Sequence, residues 1–305
     1  MNAGSMDAGI RWLVTGARGQ LGSELVRVLA GQDVTSAGRV ELDVSSERVD
    51  QVLRAWARRG ACRRLVVLNA AAWTDVDGAE SDPDAAAGAN ERGPALLAAA
   101  CAGLGATLVH VSTDYIFSGA VSLGSKARPY EVNDPTDPKT VYGATKLAGE
   151  QAVRAVLGEH YIVRTGWVYG ATGGNFVKTI AGLRHRRDTL DVVSDQVGGP
   201  TWSAELAGGL VALARSGAPH GTYHCTGAGA ASWYELARAV FEEVGADPDR
   251  IRPCGSAEFP RPAPRPAYSV LSGRSWAAAG LPGMPPWRES LRSAFWVNRS
   301  ALDLA

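Results

Sequence analysis

The sequence predicts an α/β fold, a doubly wound parallel sheet that carries a smaller C-terminal α/β lobe. Short β-branched runs alternate with longer Ala/Leu-rich segments through the first half, as strands do when helical crossovers lay them parallel. A glycine-rich loop joins the first of these runs to the first amphipathic segment. Beyond Thr165 the alternation fades and Gly, Pro and Trp become frequent, which suits a loop-rich second lobe better than more of the same sheet.

Taken in order, strands are expected at Trp12–Thr15, Val34–Ala37, Leu65–Asn69, Thr107–Ser112 and Tyr161–Arg164. Helices are expected over Gln20–Ala30, Ser46–Arg58, Asp84–Gly103 and Val141–Leu157. The stretch Phe259–Tyr268, FPRPAPRPAY, cannot form regular helix or a central strand, because its prolines lack amide donors and conformational freedom. No internal repeat is visible.

The chain has 305 residues, 46% of them hydrophobic, enough to bury a full core. Its 31 basic and 31 acidic residues balance, so no bulk attraction to nucleic acid or membrane is expected. The run Arg184-His185-Arg186-Arg187 reads as a solvated helix end. Cys62, Cys101, Cys225 and Cys254 lack CxxC spacing, which suits reduced thiols in a cytoplasmic protein. His220 and His224 lack the glutamate of a zinc-binding HExxH helix and read as structural. Residues 1–9 lack a signal peptide's basic and apolar segments and read as a disordered lead-in. No run approaches the length of a membrane-spanning helix.

The first strand runs into Gly16-Ala-Arg18-Gly19-Gln20-Leu21-Gly22, and a helix follows. In that setting the glycines let backbone amides approach a pyrophosphate, whose charge the helix N-terminus favours. The sheet is therefore expected to be of Rossmann type and to bind a dinucleotide. After the second strand the chain reads Ser36-Ala37-Gly38-Arg39, with no acid at the position that usually accepts from a ribose 2′-hydroxyl. Arg39, with Arg18, suits a 2′-phosphate instead, so NADPH is the expected cofactor and NADH the alternative. The competing reading of Arg39 is a solvated side chain. Asp43, followed by Val44, is placed to accept from the adenine amino group.

Tyr142-Gly-Ala-Thr-Lys146 puts a phenol and an ammonium on one face of a predicted helix. A tyrosine near pKa 10 exchanges protons poorly at neutral pH, and a neighbouring cation lowers that value. Only four of the 31 basic residues are lysine, so about 0.1 such pairs are expected by chance. A hydroxyl at the end of the fourth strand completes the set by bonding a substrate carbonyl. Thr113 is the candidate and Ser112 the competitor.

With these motifs the chain resembles the dTDP-4-dehydrorhamnose reductase family of the extended short-chain dehydrogenases/reductases, in particular its actinobacterial members. The resemblance covers about Arg11 to Phe295. It rests on TGARGQLG, NAAAWTDVDGAE (Asn69–Glu80), VSTDYIF, the segment Arg128–Glu150, RTGWVYG (Arg164–Gly170), GNF (Gly174–Phe176), DQVGGPT (Asp195–Thr201) and RPAYSVL (Arg265–Leu271). It implies NADPH-dependent reduction of the C4 keto group of a dTDP-activated deoxysugar. Residues 10–165, with about 197–226, would bind NADP(H), while 166–196 and 227–305 would bind the nucleotide sugar.

By the same resemblance Tyr142 is the proton donor and Lys146 its partner and ribose contact. Thr113 and Asp114 touch the substrate, and Trp167 packs on the sugar. Asn175 and Arg265 approach the diphosphate, Gln196 and Thr201 lie toward the nucleotide, and Ala71, Ala72 and Thr74 line the nicotinamide side. Each of three residues also has a plainer reading: Trp167 as a core aromatic, Asn175 as a helix cap and Arg265 as part of an inert lid edge. Trp73 and Gly166 depart from the residues common in relatives. Carboxylates that link some relatives through a metal are matched only in part, by Glu24 and Glu205, and no metal is expected. A monomer or homodimer in the cytoplasm is expected.

A 4,6-dehydratase needs an acid and a base beside the Thr, whereas Asp114 is followed by Tyr115. Two other functions stand beside the main one. The first is a 4-ketoreductase for a different nucleotide deoxysugar. The second is a non-catalytic NADP-binding regulatory subunit, against which intact Thr113, Tyr142 and Lys146 argue.

Overall fold

The computed structural model describes residues 9–60, 62–120 and 128–302; of the expected lead-in, only Gly9 falls among them. In chain order the elements are β1 (Ile10–Thr15), α1 (Gln20–Val28), β2 (Asp33–Ala37), α2 (Val49–Ala57), β3 (Arg64–Asn69), α3 (Val76–Ser81), α4 (Pro83–Ala87), α5 (Gly93–Leu104), β4 (Thr107–Thr113), α6 (Val141–Val156), β5 (His160–Thr165), β6 (Val168–Tyr169) and α7 (Phe176–Leu183). There follow β7 (Leu190–Val193), β8 (Val197–Gly198), β9 (Thr201–Trp202), α8 (Ser203–Ser216), β10 (Gly221–His224), β11 (Ala231–Ser232), α9 (Trp233–Glu243), β12 (Ile251–Cys254), α10 (Arg274–Ala278) and α11 (Trp287–Leu302).

The central sheet has the order β10-β5-β4-β3-β1-β2, and every pairing is parallel. Both its faces are covered, which is why β1 and β4 are almost wholly buried. On one face α1 and α8 pack through Leu25, Leu29, Leu206 and Leu210; on the other, α2, α5 and α6 pack through Leu53, Trp56, Leu97 and Val153. The strand order reverses between β1 and β3. The crevice outside their carboxyl ends is the place where such sheets bind ligands. The fold is thus the expected Rossmann-type α/β architecture, with a lobe whose own core joins α7, α9 and α11 through Ile180, Phe241 and Leu291.

All five expected strands form, and each extends its prediction by a residue or two. The expected helix over Asp84–Gly103 is interrupted. Asp82 caps α4 by accepting from the Ala85 amide at 3.1 Å, and a five-residue π-helical turn, Gly88–Arg92, separates α4 from α5. Gly105, in the left-handed region at φ 60°, ends α5. β10 is a strand that periodicity misses. Its four residues, GTYH, join the sheet edge beside β5. Trp276 and Leu281 also pack into the sheet's core rather than into the core of the lobe.

Candidate active site

The glycine-rich loop is built for close approach. Gly16 has φ 64°, and a Cβ there would lie 2.7 Å from the Ala71 amide nitrogen. A Cβ on Gly22 would come within 2.0 Å of the Gly16 carbonyl oxygen, so α1 can close on the loop only with glycine at this position. Gly19 precedes α1 without a side-chain cap, which leaves the first-turn amides of Gln20, Leu21 and Gly22 for an anionic ligand. The cradle therefore fits a dinucleotide pyrophosphate. The Gln20 side chain serves elsewhere: its Nε2 donates to the Val168 carbonyl at 2.9 Å, tying the loop to the lobe.

At the far end of this crevice Arg39 is exposed and pairs with Asp43 at 3.3 Å. Asp43 also accepts from the Ser45 hydroxyl and amide, at 2.7 and 3.0 Å. The Ser45 hydroxyl above all holds its carboxyl below the usual range. Val44 is buried behind it. Arg18 pairs with Glu41.

The catalytic candidates converge from two elements. β4 ends in Thr113, whose hydroxyl donates to Asp114 Oδ1 at 3.1 Å and accepts from the Tyr115 amide at 3.2 Å. The helix α6 starts at a capped turn, with Thr140 Oγ1 accepting from Gly143 N at 2.9 Å. It delivers Tyr142, whose phenol faces the Thr113 hydroxyl. Ser112 instead lies beside Glu150.

One turn beyond Tyr142, Lys146 is 2% exposed and its Nζ donates to the Val111 carbonyl at 2.6 Å. Burial pushes the Lys146 ammonium down to about 8, with Glu150 pulling it partly back. Burial pushes the Tyr142 phenol up to about 12, opposed by the neighbouring Thr113 hydroxyl and reinforced by the Asp114 charge. The expected lowering of Tyr142 by Lys146 is therefore corrected: the lysine's charge rests on a strand carbonyl, and desolvation dominates the phenol. Tyr142 stays protonated at neutral pH, ready to give a proton rather than take one.

Asp114 lies 2% exposed, and burial raises its carboxyl to about 6. A Cβ on Gly166 would fall 2.7 Å from Asp114 Oδ2, so the absent side chain makes room for this carboxylate. That gives the Gly166 departure a physical reason.

Several lobe residues are already engaged. Asn175 caps α7 by accepting from the Lys178 amide at 3.1 Å, and both its amide protons are used, on Gln20 Oε1 and the Gly170 carbonyl, each at 2.8 Å. In this arrangement neither proton is free for a diphosphate, and the cap is the contact formed. Thr201 is fully buried, donating to the Gly199 carbonyl and accepting from the Gly227 amide. Its hydroxyl organises the loop from within. Gln196 donates to Ser256 Oγ at 2.8 Å.

Trp167 has φ 49°, the only positive value for a non-glycine among the described residues. Its ring stacks on Trp233 at 3.4 Å and 2°. Its Cε2–Nε1 edge presses on Gly198, where a methyl would come within 2.3 Å. One ring face is therefore already covered. Arg265 donates to the Ala263 carbonyl and to Asp77 Oδ2, both at 2.8 Å, and so latches the Pro-rich loop onto α3. Ala71 and Ala72 sit half-buried and Thr74 exposed beyond β3.

Sequence reasoning missed two asparagines that hold this site together. Asn69 Oδ1 accepts from Thr15 Oγ1 at 2.6 Å and from the Ala71 amide at 3.2 Å, so its Nδ2 faces His110 Nδ1 at 3.0 Å. The His110 proton therefore sits on Nε2, and burial first, then the Lys146 charge, keeps this ring neutral. Asn90 is aimed by the π-turn, a feature that often re-aims a functional side chain. It bonds both backbone groups of Trp73 and the Thr145 hydroxyl, clamping the loop after β3 to α6. A signal existed for Asn90, a polar residue inside an Ala-rich helix, but nothing in the chain identified its partners. Of the carboxylates considered for a metal, Glu24 pairs with Arg27 and Glu205 accepts from Ser290 Oγ. Among the described residues no group of three or more His, Cys, Asp or Glu is placed to hold a metal ion.

The family model described as RmlD substrate binding domain matches residues 10–300. A dTDP-4-dehydrorhamnose reductase of Mycobacterium tuberculosis is 49% identical over 296 residues, covering 96% of this chain and 95% of the relative. A solved dTDP-4-dehydrorhamnose reductase from Clostridium acetobutylicum superposes with a TM-score of 0.87 at 38% identity, covering 95% of this chain and 99% of the other. One from Bacillus anthracis, in complex with NADP, does so at 0.86 and 34%, covering 94% and 99%. With a nucleotide cradle, a Thr–Tyr–Lys site and matches along almost its whole length, the chain belongs to the dTDP-4-dehydrorhamnose reductase family.

Proposed function

We propose that the chain reduces the C4 keto group of dTDP-4-dehydro-L-rhamnose to give dTDP-L-rhamnose, with NADPH as reductant. The observation that carries this is a protonated Tyr142 beside the Thr113 hydroxyl at the carboxyl edge of the sheet, next to a loop shaped for a pyrophosphate. Residues 10–165, with about 197–226, serve the cofactor, and 166–196 with 227–305 serve the sugar nucleotide. No helix among the described residues is long and apolar enough to cross a membrane, and we place the reaction in the cytoplasm.

The amides of Gln20, Leu21 and Gly22 would hold the cofactor's pyrophosphate, and Arg18 and Arg39 its 2′-phosphate. Asp43 and Val44 would face the adenine, and Ala71, Ala72 and Thr74 the nicotinamide. When bound, NADPH supplies the hydride to the substrate's C4. Tyr142 then donates its proton to the alkoxide oxygen forming there, and the Thr113 hydroxyl, turning its proton away from Asp114, stabilises the same oxygen. Lys146 keeps one proton on Val111 and offers the others to a ribose. Asp114 and the open side of Trp167 meet the sugar, while Gln196 and Arg265 lie toward the nucleotide and diphosphate.

Single-turnover mixing of the chain and NADPH with dTDP-4-dehydro-L-rhamnose tests the reading. Stoichiometric NADPH oxidation and dTDP-L-rhamnose are expected. Oxidation only with a different nucleotide keto sugar would shift the reading to a related 4-ketoreductase, and none with any keto sugar would end it.

Two further outcomes are expected. Arg39→Ala weakens NADPH more than NADH, through loss of a charge-assisted contact worth roughly 1.5–3 kcal/mol. Equal losses for both cofactors in equilibrium titration would remove Arg39 from the 2′-phosphate. Arg265→Ala raises KM for the sugar nucleotide roughly tenfold with turnover little changed, as for uniform binding lost at a remote group. A collapse of turnover at constant KM contradicts that placement.

A further inference from the structure

The turn after β2 holds a carboxylate in the place where the linear reading found none. The Leu42 amide donates to the Gly38 carbonyl at 2.9 Å, folding residues 38–42 back over the strand end. Glu41 Oε2 accepts from the Gly38 amide at 2.9 Å, and Glu41 Oε1 accepts from the Arg18 guanidinium of the glycine-rich loop. The three groups are in close contact: a Cβ on Gly38 would lie 2.9 Å from Glu41 Oε2 and 3.1 Å from Arg18 Cδ. Arg39, next in the chain, projects 86% exposed beside Asp43.

An amide at the end of β2 and the guanidinium of Arg18 are donors that a phosphate on the adenosine 2′-oxygen would use. Here an anion from the chain already occupies both. We propose that Glu41 selects the cofactor: it competes with the 2′-phosphate of NADPH for the Gly38 amide and Arg18, and accepts from the free 2′-hydroxyl of NADH. This deepens the reading above, on which it rests, and makes Glu41 the counterweight to Arg39.

The physics is a matter of exchange. The Arg18–Glu41 pair is 72% and 43% exposed, so water and salt screen it and a ligand can replace it at modest cost. Without replacement, a carboxylate beside a phosphate dianion is repulsive, whereas a carboxylate beside a ribose hydroxyl accepts a bond. One side chain therefore pushes the two cofactors in opposite directions. Glu41→Gln removes the charge and keeps the shape and an acceptor for Gly38.

The test needs no turnover. Adenosine 2′,5′-bisphosphate and 5′-AMP are titrated by calorimetry against the native chain, Glu41→Gln, and Glu41→Gln with Arg18→Ala; NADPH and NADH follow in the same way. In Glu41→Gln the bisphosphate is expected to tighten about tenfold and 5′-AMP to weaken or stay unchanged, and NADPH and NADH should diverge likewise. Adding Arg18→Ala should cancel the gain. An affinity ratio unchanged by Glu41→Gln, or a gain that survives loss of Arg18, overturns the proposal. Failure of the native chain to reduce any keto sugar would instead strike the proposed reaction and leave these binding ratios to be judged separately.

Discussion

Replacing Tyr142 by Phe lowers turnover by about 10²–10⁴-fold, the usual contribution of a positioned general acid, and leaves NADPH affinity nearly intact. The substitution removes one oxygen from a half-buried ring whose edge contact with Tyr115, at 5.6 Å, does not depend on it, so the fold should tolerate the change. With burial holding the phenol at about 12, the native group is fully protonated across the neutral range. Its ionisation should then leave no limb in the rate profile near neutrality. Thr113→Val should cost less, because it removes a hydrogen bond to the developing oxyanion rather than the proton itself. Single-turnover hydride transfer, with cofactor affinity measured separately, is the check. Near-normal transfer in Tyr142→Phe would remove Tyr142 as the proton donor and sink the mechanism.

Lys146→Met should cripple the site and change the pH dependence of stability. The ammonium is buried and its folded pKa lies at about 8 against 10.5 for the free group. Below pH 8 the folded state therefore carries a charge it solvates poorly, a penalty on the order of 3 kcal/mol. The unfolded chain binds more protons between about 8 and 10.5, so this group makes stability rise with pH across that window. Lys146→Met removes the rise. At pH 7 it gains stability by roughly 2 kcal/mol, after allowing about 1 kcal/mol for the lost bond to Val111. NADPH affinity and turnover should both fall, since the lysine is proposed to hold the ribose and lies one helical turn from the tyrosine. Denaturant melts from pH 7 to 10.5 decide the matter, and parallel pH curves for the native and Met chains would show that Lys146 is not under this strain.

The gain in stability and the loss in activity are two sides of one placement. A charge held in the core for binding destabilises the fold that holds it. Asp114, pushed the other way to about 6 by burial, is a second instance at the same strand end.

The sequence by itself determined the alternation of strands and helices, the glycine-rich loop and the Tyr142–Lys146 spacing. These are local properties: a period of two or 3.6 residues, a turn that only glycine can make, two side chains one helical turn apart. Even the interruption near Asn90 left a trace, as a polar residue in an Ala-rich run. What surrounds those motifs depended on residues far apart in the chain. Glu41 reached the Gly38 amide and Arg18 only when the turn after β2 met the loop after β1. Trp167 lost one face to Trp233, 66 residues on. The ionisation of Tyr142 and Lys146 turned on burial: desolvation, set by every element packed around a group, is the largest cause for both.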